Sequence, residues 1–82
     1  MNEADLIAAI KQKVGSVPYS YWTIGITDDP ERRKGEHDNP RFWQHWKADG
    51  ESIARNVEKY FLDGGMKGGT GGGENPTYVY VF

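Results

Sequence analysis

Tyr19-Ser20-Tyr21-Trp22-Thr23-Ile24-Gly25-Ile26-Thr27-Asp28-Asp29-Pro30-Glu31-Arg32-Arg33-Lys34 is the stretch on which the reading of this chain turns. Between Tyr19 and Thr27, Trp22, Ile24 and Ile26 alternate with Tyr21, Thr23 and Gly25. A period of two in β-branched and aromatic residues predicts a strand with one buried face. Asp28-Asp29-Pro30 ends it. A carboxylate ahead of proline starts a helix, because proline holds the φ of the first helical position and has no N–H to leave unpaired there. A helix is therefore expected from Pro30 to about His37, weakened by Gly35.

Upstream, Leu6, Ile7, Ile10 and Val14 share one helical stripe, with Asn2 placed to cap it and Gly15 to stop it. Downstream, Asn39-Pro40 repeats the carboxamide-and-proline start, and Phe42, Trp43 and Trp46 predict a short helix from Pro40 to Lys47. Asp49 is placed to cap a third helix whose stripe is Ile53, Val57, Tyr60 and Phe61, with Gly64-Gly65 stopping it. From Gly64 to Gly73 seven of ten residues are glycine, which predicts a loop without regular structure, either mobile or brought close to a neighbour. In Thr77 to Phe82, Tyr78, Tyr80 and Phe82 alternate with Val79 and Val81, the pattern of a strand. The elements predict an α+β fold over residues 1–82, a small sheet of two or three strands backed by helices.

Composition narrows what such a fold can do. A chain of 82 residues buries only about 60% of its unfolded surface. Hydrophobic residues are 37% and aromatics 13%, so a few large side chains supply most of the buried area. The mean hydropathy of −0.78 and the short apolar runs exclude a spanning helix, which needs about 18 apolar residues. No secretory leader is legible. The absence of cysteine removes disulfides, thiolate metal sites and cysteine nucleophiles, and fits a cytoplasmic chain. A formal charge of −2 does not attract phosphate backbones as a whole, so a nucleic-acid partner needs a local basic patch.

Such a patch exists. Arg32, Arg33 and Lys34 crowd the first turns of the helix after Pro30, where the partial charge is already positive. That placement costs stability and suits an anion such as phosphate; the alternative is a solvated basic face balanced by Glu31 and Glu36. The glycine run fits neither nucleotide-binding spacing, since no Gly-x-x-x-x-Gly-Lys-Ser/Thr or Gly-x-Gly-x-x-Gly can be drawn in it. His37 and His45 with Glu36 and Asp38 lack the spacing of a metal site and read as a solvated helix end. Tyr78, Tyr80 and Phe82 form either a base-stacking platform or part of the core.

The string Tyr21 to Arg33, followed by His37, resembles the second half-motif of the GIY-YIG nuclease family. There an Ile-Gly or Val-Gly ends a strand, a helix follows, the catalytic arginine lies eight residues after the glycine, and a histidine can follow four residues later. After Gly25, Arg33 and His37 stand at those positions. The family's later helix brings a glutamate that holds one divalent cation, and Glu58 matches it. An asparagine in a glycine-containing loop often follows, and Asn75 is similar to that element. The resemblance spans Tyr21 to Asn75, about two thirds of the chain.

The first half-motif, a Gly-Ile-Tyr strand upstream, is missing, and the half-motif tyrosine is replaced by Thr23. Tyr19 or Tyr21 can supply a displaced phenol. Alternatively the last strand stands in the missing strand's place and offers Tyr78 or Tyr80, a rearranged version of the fold. The resemblance implies a divergent nucleic-acid-binding domain that has lost turnover, the reading that Thr23 and the acidic pI of 5.6 favour. Its alternative is an active endonuclease with Mg2+ or Mn2+ on Glu58, Arg33, His37 and Tyr21 catalytic, and Arg32, Arg33 and Lys34 binding phosphate. An unrelated small α+β interaction protein is the third reading. A tyrosine hydroxyl converging with Arg33 and Glu58 would separate the first two.

Overall fold

The computed structural model describes residues 1–69 and 74–82. Helix α1 spans Glu3–Val14, strand β1 Thr23–Thr27, helix α2 Pro30–Glu36, strand β2 Gln44–Lys47, helix α3 Glu51–Asp63, strand β3 Lys67–Gly68 and strand β4 Tyr78–Val81. The fold is α+β, as expected, but its sheet has four strands instead of two or three, in the order β2-β4-β1-β3. β4 lies antiparallel to both neighbours, with Ile24 opposite Val81 and Gly25 opposite Tyr80 on one side, and His45 opposite Tyr80 on the other. β3 runs parallel to β1, Thr23 opposite Lys67.

Local chemistry explains most of the boundaries. The Asn2 side chain accepts the Asp5 N–H at 2.8 Å, and Gly15, at φ 59°, closes α1 by donating to the Lys11 carbonyl at 2.9 Å. Asp29 accepts the Arg32 N–H at 3.1 Å, and Pro30 fills the first position of α2. Leu6, Ile10 and Val14 of α1 and Ala54, Val57 and Phe61 of α3 are buried against Ile24, Ile26, Val79 and Val81. Both long helices thus cover one face of the sheet. Among the described residues no helix is long and apolar enough to cross a membrane.

Four further expectations are corrected. The segment 40–47 is not a helix: Asp38 and Asn39 take φ of 62° and 51°, turning the chain, and Gln44–Lys47 pairs with β4. Its dense aromatics, poor in helix propensity, prefer the pleated surface. Asp49 does not cap α3, which starts at Gly50 with no side-chain cap; its carboxylate instead accepts the Met1 ammonium at 2.8 Å. The glycine run is not all loop, because Lys67–Gly68 pairs with β1, and Gly69 continues by donating to the Ile24 carbonyl at 2.8 Å. Residues 70–73 of that run lie outside the described ones. The strand predicted from Tyr19 starts only at Thr23, after a 3-10 turn at Tyr19–Tyr21. On α3, Tyr60 is 43% exposed, with Lys11 Nζ 5.2 Å from its ring centre.

Candidate functional site

The sheet has two unlike faces. Ile24, Ile26, Val79 and Val81 meet the long helices, so strand alternation sends Gly25, Tyr78, Tyr80 and His45 to the other side. Tyr80 sits at the centre of that side, 0% exposed. Its ring lies across β1: a Cβ on Gly25 would overlap the Tyr80 hydroxyl and Cζ, and a Cβ on Gly69 would overlap the same hydroxyl. Gly25 on β1 and Gly69 just past β3 form the trough that the phenol occupies. Trp43 closes it from above, stacked on Tyr80 with ring centres 4.5 Å apart and planes at 13°. The Trp43 indole is held in turn by donating to His45 Nδ1 at 3.1 Å.

The turn from β1 into α2 carries the charged groups to this ring. Buried Thr27 accepts the Asp29 N–H on its hydroxyl at 3.0 Å, which orders the turn ahead of the cap. Past α2, the left-handed pair Asp38 and Asn39 reverses the chain. His37 then meets the aromatic cluster, its ring centre 4.8 Å from that of Phe82. His37 Nε2 lies 3.2 Å from the Tyr80 hydroxyl.

Burial pushes the Tyr80 phenol above its usual range; Arg33 pulls against that, while Glu58 and Glu36 push further in the same direction as burial. The Arg33 side chain is only 13% exposed and pairs with Glu36 at 3.0 Å, and its Nε is buried with no partner among the described residues. Glu58 is half-buried and, among the described residues, in no salt bridge. Burial raises its carboxyl pKa, with Arg55 opposing.

The remaining residues singled out from the sequence divide. Gly25 belongs to the cluster. Arg32 is spent on surface pairs, with Asp28 at 3.0 Å and Glu36 at 3.9 Å. Lys34 is half-buried on α2, and Asn75 is exposed at φ 51° ahead of β4. Tyr21 is 73% exposed and lines a cleft with Val17, Trp22 and Phe42. The phenol that meets His37 is Tyr80, in the last strand. Trp43 and Gly69 were hidden, the first by its helical spacing and the second inside a run of glycines. Among the described residues no three His, Cys, Asp or Glu side chains cluster as a metal cage. No family model, curated protein or solved structure matches the chain.

Proposed function

We propose that this chain is a nucleic-acid endonuclease with a GIY-YIG-like site in permuted order, β4 standing where the family's first half-motif strand would be. The supporting observation is the Tyr80 hydroxyl meeting His37 Nε2 at 3.2 Å, one helical turn beyond the largely buried Arg33. Each group has work in phosphodiester hydrolysis. His37, in the tautomer with a free Nε2 lone pair, takes the phenol proton as the phenol oxygen accepts one from an attacking water. Arg33 offers a guanidinium already largely desolvated, with a free Nε donor, to the negative charge that grows on the phosphoryl oxygens. Its partner Glu36 is 49% exposed and yields to an incoming phosphate at small cost.

Glu58 fits a Mg2+ or Mn2+ ligand. Magnesium takes one or two carboxylates and completes its shell with water and substrate phosphate, and a half-buried carboxylate in no salt bridge among the described residues supplies such a donor. When bound, the metal would act as a Lewis acid on the phosphate. The binding-only reading has its own support in the complete burial of Tyr80, which leaves a water no open path to the hydroxyl. Cleavage of a labelled oligonucleotide with Mg2+ or Mn2+ separates the two. Tyr80→Phe and Arg33→Ala should each lower the cleavage rate by about 100-fold or more, and Glu58→Ala should abolish cleavage while oligonucleotide binding persists. Binding without cleavage by the unmodified chain refutes the enzyme reading, and no binding at low salt refutes both.

A further inference from the structure

A cleft of about 350 Å3 is lined by Val17, Tyr21, Trp22 and Phe42. Tyr21 and Phe42 stand 73% and 63% exposed, two rings that folding alone would not leave in water together. The volume matches a small planar ligand. We infer that the cleft is a nucleobase site: it stacks an unpaired base, so the substrate class is nucleic acid with unpaired nucleotides. The inference rests on the nuclease reading above and adds the substrate's form to it.

Two observations point to a base instead of an apolar side chain. First, the local charge opposes that of the whole chain. Residues 15–27 and 40–48 contain no Asp or Glu, although the chain's formal charge is −2. Exposed Arg41 adjoins Phe42, and exposed Lys67 adjoins Trp22 through its N–H on the Trp22 carbonyl at 2.9 Å. Neither makes a salt bridge among the described residues. Flat aromatic faces flanked by free cations suit a base and its phosphates.

Second, the Trp22 indole N–H is buried and has no partner among the described residues. A duplex keeps its bases stacked on one another, so only an unpaired nucleotide can present a ring face here.

The test is a fluorescence titration of the whole chain in chelator, so that nothing is cleaved, with oligothymidylate, the same strand paired to oligoadenylate, and an abasic strand of equal length. Oligothymidylate should bind at least ten-fold tighter than the abasic strand, the worth of one or two base stacks. Phe42→Ala and Tyr21→Ala should each remove about ten-fold of that affinity and leave the duplex and abasic strand unchanged. Both side chains are mostly exposed, so the variants should keep their unfolding midpoint. Unchanged affinity for all three probes in both variants, with Arg33→Ala still weakening them, overturns the base site and leaves the nuclease reading intact. Binding to none of the probes refutes both. Concentration-dependent self-association abolished by Phe42→Ala, with equal binding of all three probes, overturns the base site in favour of a second copy of the chain.

Discussion

Gly25→Ala sets two opposed effects against each other. In a strand interior glycine is about 0.5–1 kcal/mol worse than alanine, because it surrenders more backbone freedom on folding. On that ground alone the substitution stabilises. Sterically the new Cβ lands on the Tyr80 hydroxyl and Cζ, and the ring has nowhere to retreat. Trp43 is stacked on its far side at 4.5 Å, and the hydroxyl already rests against Gly69. Relief means moving the ring, loosening the Trp43 stack at about 0.5–1.5 kcal/mol and the His37 contact at about as much. Overpacking of this kind costs about 1–3 kcal/mol, so the sign reverses and Gly25→Ala destabilises. In a domain of this length each kcal/mol lowers the thermal midpoint by about 4–8 °C. Urea unfolding followed by tryptophan fluorescence gives the free energy directly. Gly69→Ala sharpens the test, because there the hydroxyl alone is in overlap and Cζ stands off at 3.2 Å. Tyr80→Phe should remove most of the Gly69→Ala cost, a coupling of about 1 kcal/mol, while relieving Gly25→Ala little. A neutral or stabilising Gly25→Ala, or equal relief at both positions, would refute the trough.

Two further outcomes follow from burial. Because burial raises the folded-state pKa of Glu58 above its unfolded value of about 4.3, the folded chain binds more protons in the interval between the two. Stability is thus lost as pH rises through that interval. Glu58→Gln should accordingly melt higher than the parent at pH 7, with the difference vanishing below about pH 4, and should lose metal-dependent cleavage; equal midpoints at pH 7 would contradict the buried, unpaired carboxylate. Trp22→Ala should cost about 3–5 kcal/mol, since Trp22 is 9% exposed, whereas Phe42→Ala should stay within about 0.5 kcal/mol; similar losses in urea unfolding would mean that the cleft is core.

The sequence disclosed its elements where local chemistry dominates. Asn2 and Gly15 bound α1, and Asp29-Pro30 starts α2, because caps and proline act within a few residues. It misled where a pattern served two periods at once. Phe42, Trp43 and Trp46 fit a helical face, yet Trp43 and His45 fall on one side of the sheet and Gln44 and Trp46 on the other once β4 supplies the ladder. That choice depends on a partner strand far along the chain, so no local window contains it. The glycine run hid β3 for a related reason. Glycine is a poor strand former, and Lys67–Gly68 is a strand because β1 has a free edge; Gly69, just past it, is tolerated because Tyr80 needs the space a Cβ would take.

The site was half legible for a physical reason as well. Arg33 and His37 are separated from Gly25 by one turn and one short helix, a stiff connection whose spacing fixes their direction, so their sequence pattern carries their geometry. The tyrosine is different. It needs only to lie opposite Gly25, and any strand antiparallel to β1 there delivers a phenol to the same trough. β4 does so with Tyr80 opposite Gly25, even though it follows Arg33, His37 and Glu58 in the chain instead of preceding them. Tyr21, nearer to Thr23 in the chain, is exposed and lines the cleft. The signal that would have found Tyr80 is Gly25 itself: a small residue amid Ile24, Ile26 and Thr27 reserves room on one sheet face for a large neighbour. In the last strand, Tyr80 is the ring that the pairing register brings to that room.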